Sequence, residues 1–199
     1  MIKKEDMEHV LTKHLETLVD GIFAISMTLL VKGLVVPQIT GPLSNTVVQN
    51  SYYNLLPNLF ALVLSFLLLA ILWNSHHRIF NHIEEINDTL LWINVIWLLF
   101  IILVPFSASS LGQYGNYILP NVIFNINMLG IGILLYINTH YALKMNFIKE
   151  ETTKFRYRRY ANIGFIFISL LALLLSFTFT SWSPVAYILI LPLTLVTRK

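Results

Sequence analysis

The sequence reads as an all-α, polytopic membrane protein with six transmembrane helices and both termini in the cytoplasm. Its charge is sequestered: twelve of the thirteen Lys and Arg residues, and all ten Asp and Glu, fall in four short polar segments separated by nearly pure hydrocarbon. With 56% apolar and 12% charged residues and a mean hydropathy of +0.71, the chain lies outside the range of soluble globular domains. Six apolar stretches approach the roughly 20 residues that a helix needs to cross the hydrocarbon core.

The first stretch, Thr17 to Val36, follows Lys3, Lys4, Glu5, Asp6 and Glu8 rather than an apolar run. Nothing there resembles a cleavable signal peptide, so this helix is expected to be retained as its own insertion signal. The second, Leu55 to Trp73, and the third, Leu90 to Phe106, flank a polar segment rich in His, Asn and acids. The fourth runs from Ile118 to Tyr141 and the fifth from Ala161 to Thr180. Between them lies Lys154-Phe155-Arg156-Tyr157-Arg158-Arg159-Tyr160, a topology anchor suited to anionic lipid. The sixth, Val185 to Val196, is short and carries Pro192, which favours a kink or a partly interfacial end. The Ser181-Trp182-Ser183-Pro184 turn makes the last two helices an antiparallel hairpin.

Orientation follows from the connectors. Lys3, Lys4 and Lys13, then Arg78, then the basic residues from Lys144 to Arg159, then Arg198 and Lys199 mark one side. The segments around Pro37 to Asn54, Ser107 to Tyr117 and Ser181 to Pro184 carry no charge. The positive-inside bias places the first set in the cytoplasm, which requires an even number of spans. Trp73, Trp92, Trp97 and Trp182 lie near predicted helix ends, as an interfacial aromatic belt would have them. The two halves show no internal repeat, so residues 1–199 are expected to form one six-helix unit. A net charge of +3 would suggest nucleic acid in a soluble protein, but here the basic residues crowd helix ends, where lipid headgroups and insertion account for them. Without cysteine there is no disulfide framework, thiolate metal site or cysteine nucleophile.

Function is then sought in the few polar residues that fall within or beside the spans. An ionised carboxylate at the inner edge of a span is costly unless paired or wetted, which singles out Asp20. Gly21, Ala24/Ile25, Thr28 and Lys32 recur at helical spacing and give the first helix a face of small and weakly polar side chains. Two accounts fit that face: a helix-packing surface, or a pore wall in which Ile and Thr rings form a hydrophobic constriction beside a hydroxyl-lined site. Lys32 is the only basic residue outside the cytoplasmic set and can snorkel to the far interface. The segment Trp73-Asn74-Ser75-His76-His77-Arg78-Ile79-Phe80-Asn81-His82 is the second dense signal. His76 and His77 point about 100° apart on a helix, and His82 is not at the i+4 spacing of a two-His helical metal site. A polar network at the cytoplasmic membrane edge, tying this segment to Asp20 or His14, is the better reading. No phosphate-cradling glycine loop, nucleophile elbow or deep carboxylate pair marks an enzyme.

Several of these segments together resemble the bacterial and archaeal members of the transmembrane protein 175 family, relatives of the endolysosomal potassium channel. They are Asp20 to Ile25 with Thr28 to Val31, Trp73 to Phe80, Asp88-Thr89-Leu90-Leu91-Trp92-Ile93-Asn94, Leu103 to Ser107, and Leu111-Gly112. The family hallmark R-x-x-x-F-S-D corresponds here to His14, Leu18, Val19 and Asp20, so only the aspartate survives. Neutral or protonated His14 can partly replace the arginine, whereas Val19 cannot replace the serine hydroxyl. The resemblance implies a homotetramer in the cell membrane, its pore lined by four copies of the first helix. It further implies a potassium-selective leak channel with no cofactor beyond the permeant ion. By position, Ile25 would form the constriction, Thr28 the adjacent hydroxyl ring and Leu29 a further pore residue. His14, Asp20, Trp73, His77 and Asp88 would form the cytoplasmic-side network. Two rivals share the same residues: a proton-coupled transporter using Asp20, His14 and His77 as a relay, and a non-conducting membrane scaffold, which the altered hallmark favours.

Overall fold

The structure, a computed structural model, describes residues 4–39, 41–83, 85–148 and 153–190. It is all-helical: α1 (Lys4–Leu29) runs into a 3-10 turn (Leu30–Gly33), followed by the short α2 (Asn45–Tyr53) and the long α3 (Leu56–Phe80), α4 (Asp88–Tyr114), α5 (Ile118–Lys144) and α6 (Thr153–Thr178). A 3-10 segment (Thr180–Leu189) follows α6. Five stretches of the described residues are long and apolar enough to cross a membrane: Lys13–Gly33, Asn45–Phe80, Asp88–Tyr114, Ile118–Lys144 and Phe155–Thr178. The chain is a multi-pass membrane protein.

Local chemistry sets the helix starts. The Asn87 side chain accepts a hydrogen bond from the Leu90 amide at 2.9 Å, and Asp88 adds negative charge to the first turn of α4. Ser44 caps α2 through the Val47 amide at 3.2 Å, and Pro57 sits in the first turn of α3, where its missing N–H costs nothing. α4 is the central helix. α1, α3 and α5 all pack on it, while α6 and the 3-10 segment close against α5.

Several expected boundaries move. α4 continues through the expected loop from Ser107 as far as Tyr114, because Ser107, Ala108, Leu111 and Gly112 are buried against its neighbours. Pro105 lies inside α4 without ending it. The uncharged connector from Pro37 to Asn54 contains α2, none of whose residues is buried. The predicted sixth helix is, over its described part, a 3-10 segment containing Pro184, and the remainder, 191–196, lies outside the described residues. That segment does fold back on α6, since Ser183 Oγ lies 3.2 Å from Ser176 Oγ. Trp97 is not interfacial: it is fully buried, and its indole donates to the Ile131 carbonyl at 3.1 Å.

Candidate functional site

α1 divides into two faces. Leu15, Val19, Phe23, Ser26 and Leu30 are buried against the rest of the subunit. On the opposite side Gly21, Ala24, Ile25, Thr28 and Lys32 are exposed, Ile25 at 59% of its surface. Leu29 is half-buried, at the boundary between the faces. The Thr28 hydroxyl donates to the Ile25 carbonyl at 2.8 Å. That bond ties up its proton and leaves the oxygen lone pairs as an acceptor on the exposed side. A Cβ added at Gly21 would meet nothing within 4 Å, so the subunit itself leaves the space in front of this face open.

Beside that face the structure brings together Asp20, Trp73 and His77. Asp20 Oδ1 accepts a hydrogen bond from the Trp73 indole N–H at 2.8 Å. The Trp73 ring stacks on His77 with centroids 6.0 Å apart and planes 22° from parallel. This carboxylate–indole bond is charge-assisted, and it ties α1 to α3. His14 and Asp88 do not join it. Both are exposed. His14 lies six residues before Asp20, about 240° around the helix, and Asp88 serves the start of α4 instead.

A second polar column, unforeseen from the sequence, runs through the core. His76 is buried, sandwiched between Phe80 at 4.0 Å and Trp97 at 4.5 Å, with both ring pairs nearly parallel. Its Nε2 lies 3.0 Å from Asn94 Oδ1. The Asn94 amide nitrogen already donates to the Leu90 carbonyl and to Asn138 Oδ1. Its oxygen therefore accepts, and the His76 proton sits on Nε2. Phe23 of α1 rests on Trp97 at 5.5 Å, joining the column to the buried face of α1. The adjacent histidines thus separate as helical geometry requires: His76 turns inward to the column and His77 outward to Trp73. The sequence signal was an Asn inside each of two apolar helices, Asn94 and Asn138, since a buried amide there needs a partner.

Another hub lies nearer the start of α5. Asn125 donates to the Ala172 carbonyl at 3.1 Å and to Ser176 and Ser183, each at 2.8 Å, and accepts from the Tyr187 hydroxyl at 3.0 Å. It binds α5, α6 and the 3-10 segment into one unit.

The segment carrying both faces of α1 and the Trp73–His77 pair is also the segment shared with known proteins. The profile of a family described as endosomal/lysosomal potassium channel TMEM175 matches residues 14–105. A protein of Streptomyces collinus named as a potassium channel is 31% identical over 99 residues, 50% of this chain and 47% of that protein. One of Chamaesiphon minutus, also named as a potassium channel, is 34% identical over 104 residues, 52% of this chain and 50% of that one. The chain's matches span about half the length of these curated relatives. The fold match is far longer. The crystal structure of a lysosomal potassium-selective channel TMEM175 homolog from Chamaesiphon minutus superimposes with a TM-score of 0.79 at 25% identity, over 96% of this chain and 100% of that one.

The likeness to TMEM175 channels is therefore one of sequence over residues 14–105 and of fold over nearly the whole chain. The profile match covers α1 from His14 onward, α2, α3 and α4 as far as Pro105, and therefore Asp20, Ile25, Thr28, Trp73 and His77. α5 and α6 lie beyond it and are related through the fold.

Proposed function

We propose that this protein is a potassium-selective leak channel, a homotetramer in which the exposed faces of four α1 helices surround a central pore. The observation that carries the reading is that face: small, weakly polar side chains stand open to the outside of the subunit on the helix that begins the family match. A membrane protein that left Gly21, Ala24 and Thr28 to lipid would gain little there, whereas small residues and hydroxyls let identical helices approach one another around an axis. In this arrangement both termini are cytoplasmic. Ile25 supplies the hydrophobic constriction, which conducts when it widens enough to stay wet. The Thr28 oxygens offer a hydroxyl ring on the next turn, and Leu29 contributes from the edge of the face. The Asp20–Trp73–His77 contact holds the inner end of α1 in place.

Ion flux into liposomes containing the purified protein tests this. Potassium-driven flux well above sodium-driven flux is expected. Flux driven only by a proton gradient and saturable in substrate, or no ionic flux at all, would contradict it.

A further inference from the structure

We propose that Lys32 controls ion throughput at the far mouth of the pore, where four copies form a ring of fixed positive charge that impedes inward potassium flow more than outward flow. This deepens the channel reading and rests on the exposed face of α1 being the pore wall. Lys32 is the only charged residue between Asp20 and Arg78, and the other two far-side connectors carry none. No acidic side chain on that side of the protein is therefore available to neutralise it.

The structure holds the Lys32 backbone firmly. The 3-10 turn Leu30–Gly33 buries Leu30 and leaves Lys32 exposed, about one turn beyond Thr28. The Gly33 carbonyl accepts from Asn58 Nδ2 at 3.0 Å. Gly33 also lies against α4, where an added Cβ would meet Ser109 at 3.5 Å. Asn58 is in turn seated on Gly112, so α3 and α4 together clamp the turn. The C-terminal carbonyls of α1 favour a cation at this position.

Cation pathways ordinarily carry acids at their mouths, which concentrate the permeant ion. Here the sign is reversed on one side only, since Asp20 lies on the same helix to the cytoplasmic side of Ile25. A potassium ion approaching from the far side meets repulsion over about one Debye length, roughly 8 Å at physiological salt, before it reaches Thr28. An ion arriving from the cytoplasmic side passes the acid first and meets the ring only on leaving. A lysine that merely snorkelled to lipid headgroups would have no such directional effect.

Current–voltage recording in symmetrical potassium, on cells expressing the full chain at matched surface levels, tests the proposal. Wild-type current should rectify outwardly. Lys32→Gln should raise inward current about threefold, leave outward current nearly unchanged and keep the potassium-to-sodium permeability ratio, as expected when a fixed local charge is removed. Lys32→Arg should retain the rectification and Lys32→Glu should reverse it. If Lys32→Gln superimposes on wild type while Ile25→Asn changes conductance, the pore assignment stands and the Lys32 proposal is overturned. If Ile25→Asn is also without effect, the α1 pore reading itself fails, and this proposal with it.

Discussion

At the scale of the residue, Ile25 and His76 do opposite kinds of work. Ile25 is an apolar side chain left open to the outside, and on the proposed pore wall it would restrict flow by making the passage hard to wet. Ile25→Asn should therefore raise conductance and lower the potassium-to-sodium permeability ratio. An unchanged ratio in bi-ionic recordings would remove Ile25 as the narrowest point. His76 is a polar side chain with no access to water. Its single described hydrogen bond to Asn94 and its two ring faces fill a buried slot. His76→Ala should empty that slot and strand the Asn94 oxygen, costing about 1–3 kcal/mol for the lost hydrogen-bond partner alone. A lowered unfolding temperature in detergent would show it, and wild-type stability would contradict the column as a structural element. The sequence marked both histidines as significant but not their separate destinations, because adjacency specifies an angle between side chains and leaves the inward direction to packing.

At the scale of the element, α1 is tied to its neighbours at two levels. Asp20 and Trp73 fasten it to α3 partway along its length, and the Leu30–Gly33 turn that follows it is clamped by Asn58. The clamp needs a glycine: a Cβ at Gly112 would stand 2.8 Å from the Asn58 Cα, a backbone atom that cannot rotate away. Gly112→Ala should push α3 and α4 apart at that level and destabilise the protein by about 1–3 kcal/mol. Thermal unfolding of the variant checks this; an unaltered midpoint would mean that the helices tolerate the separation. The apolar runs showed where helices cross the membrane, since about 20 hydrocarbon residues have few other solutions. They did not show where the helices stop. α4 passes its predicted end at Phe106 because Ser107, Ala108, Leu111 and Gly112 have packing partners, a property of neighbouring helices rather than of hydropathy. For the same reason Trp97, read as interfacial, lies in the core: its indole has found the Ile131 carbonyl.

At the scale of the whole molecule, one subunit has two levels of cohesion. Buried amides at Asn94 and Asn125 lock its helices internally, where lipid offers no competing hydrogen bonds. The face of α1 with Gly21, Ala24, Ile25 and Thr28 stays open on the outside of the subunit. His77 and Trp73, at the inner end of that face, should support the assembly of four copies. His77→Ala is expected to shift the protein from tetramer towards smaller species on size-exclusion chromatography in detergent, and an unchanged elution profile would contradict that role. Composition, charge placement and the segments shared with the TMEM175 family made the multi-pass architecture and the α1 face legible. A tie between Asp20 and the segment beginning at Trp73, 53 residues away, was expected from the sequence, but which atoms make it follows only from α1 lying against α3.

The absence of cysteine makes a direct test of the pore wall possible. Single cysteines placed along α1 can be exposed to a charged thiol reagent while potassium current is recorded. The account predicts that modification at positions 21, 24, 28 and 32 alters the current, and that positions 23, 26 and 30, whose side chains are buried, are silent. Sensitivity confined to the buried face, or absent from every position, would mean that α1 does not line the ion pathway.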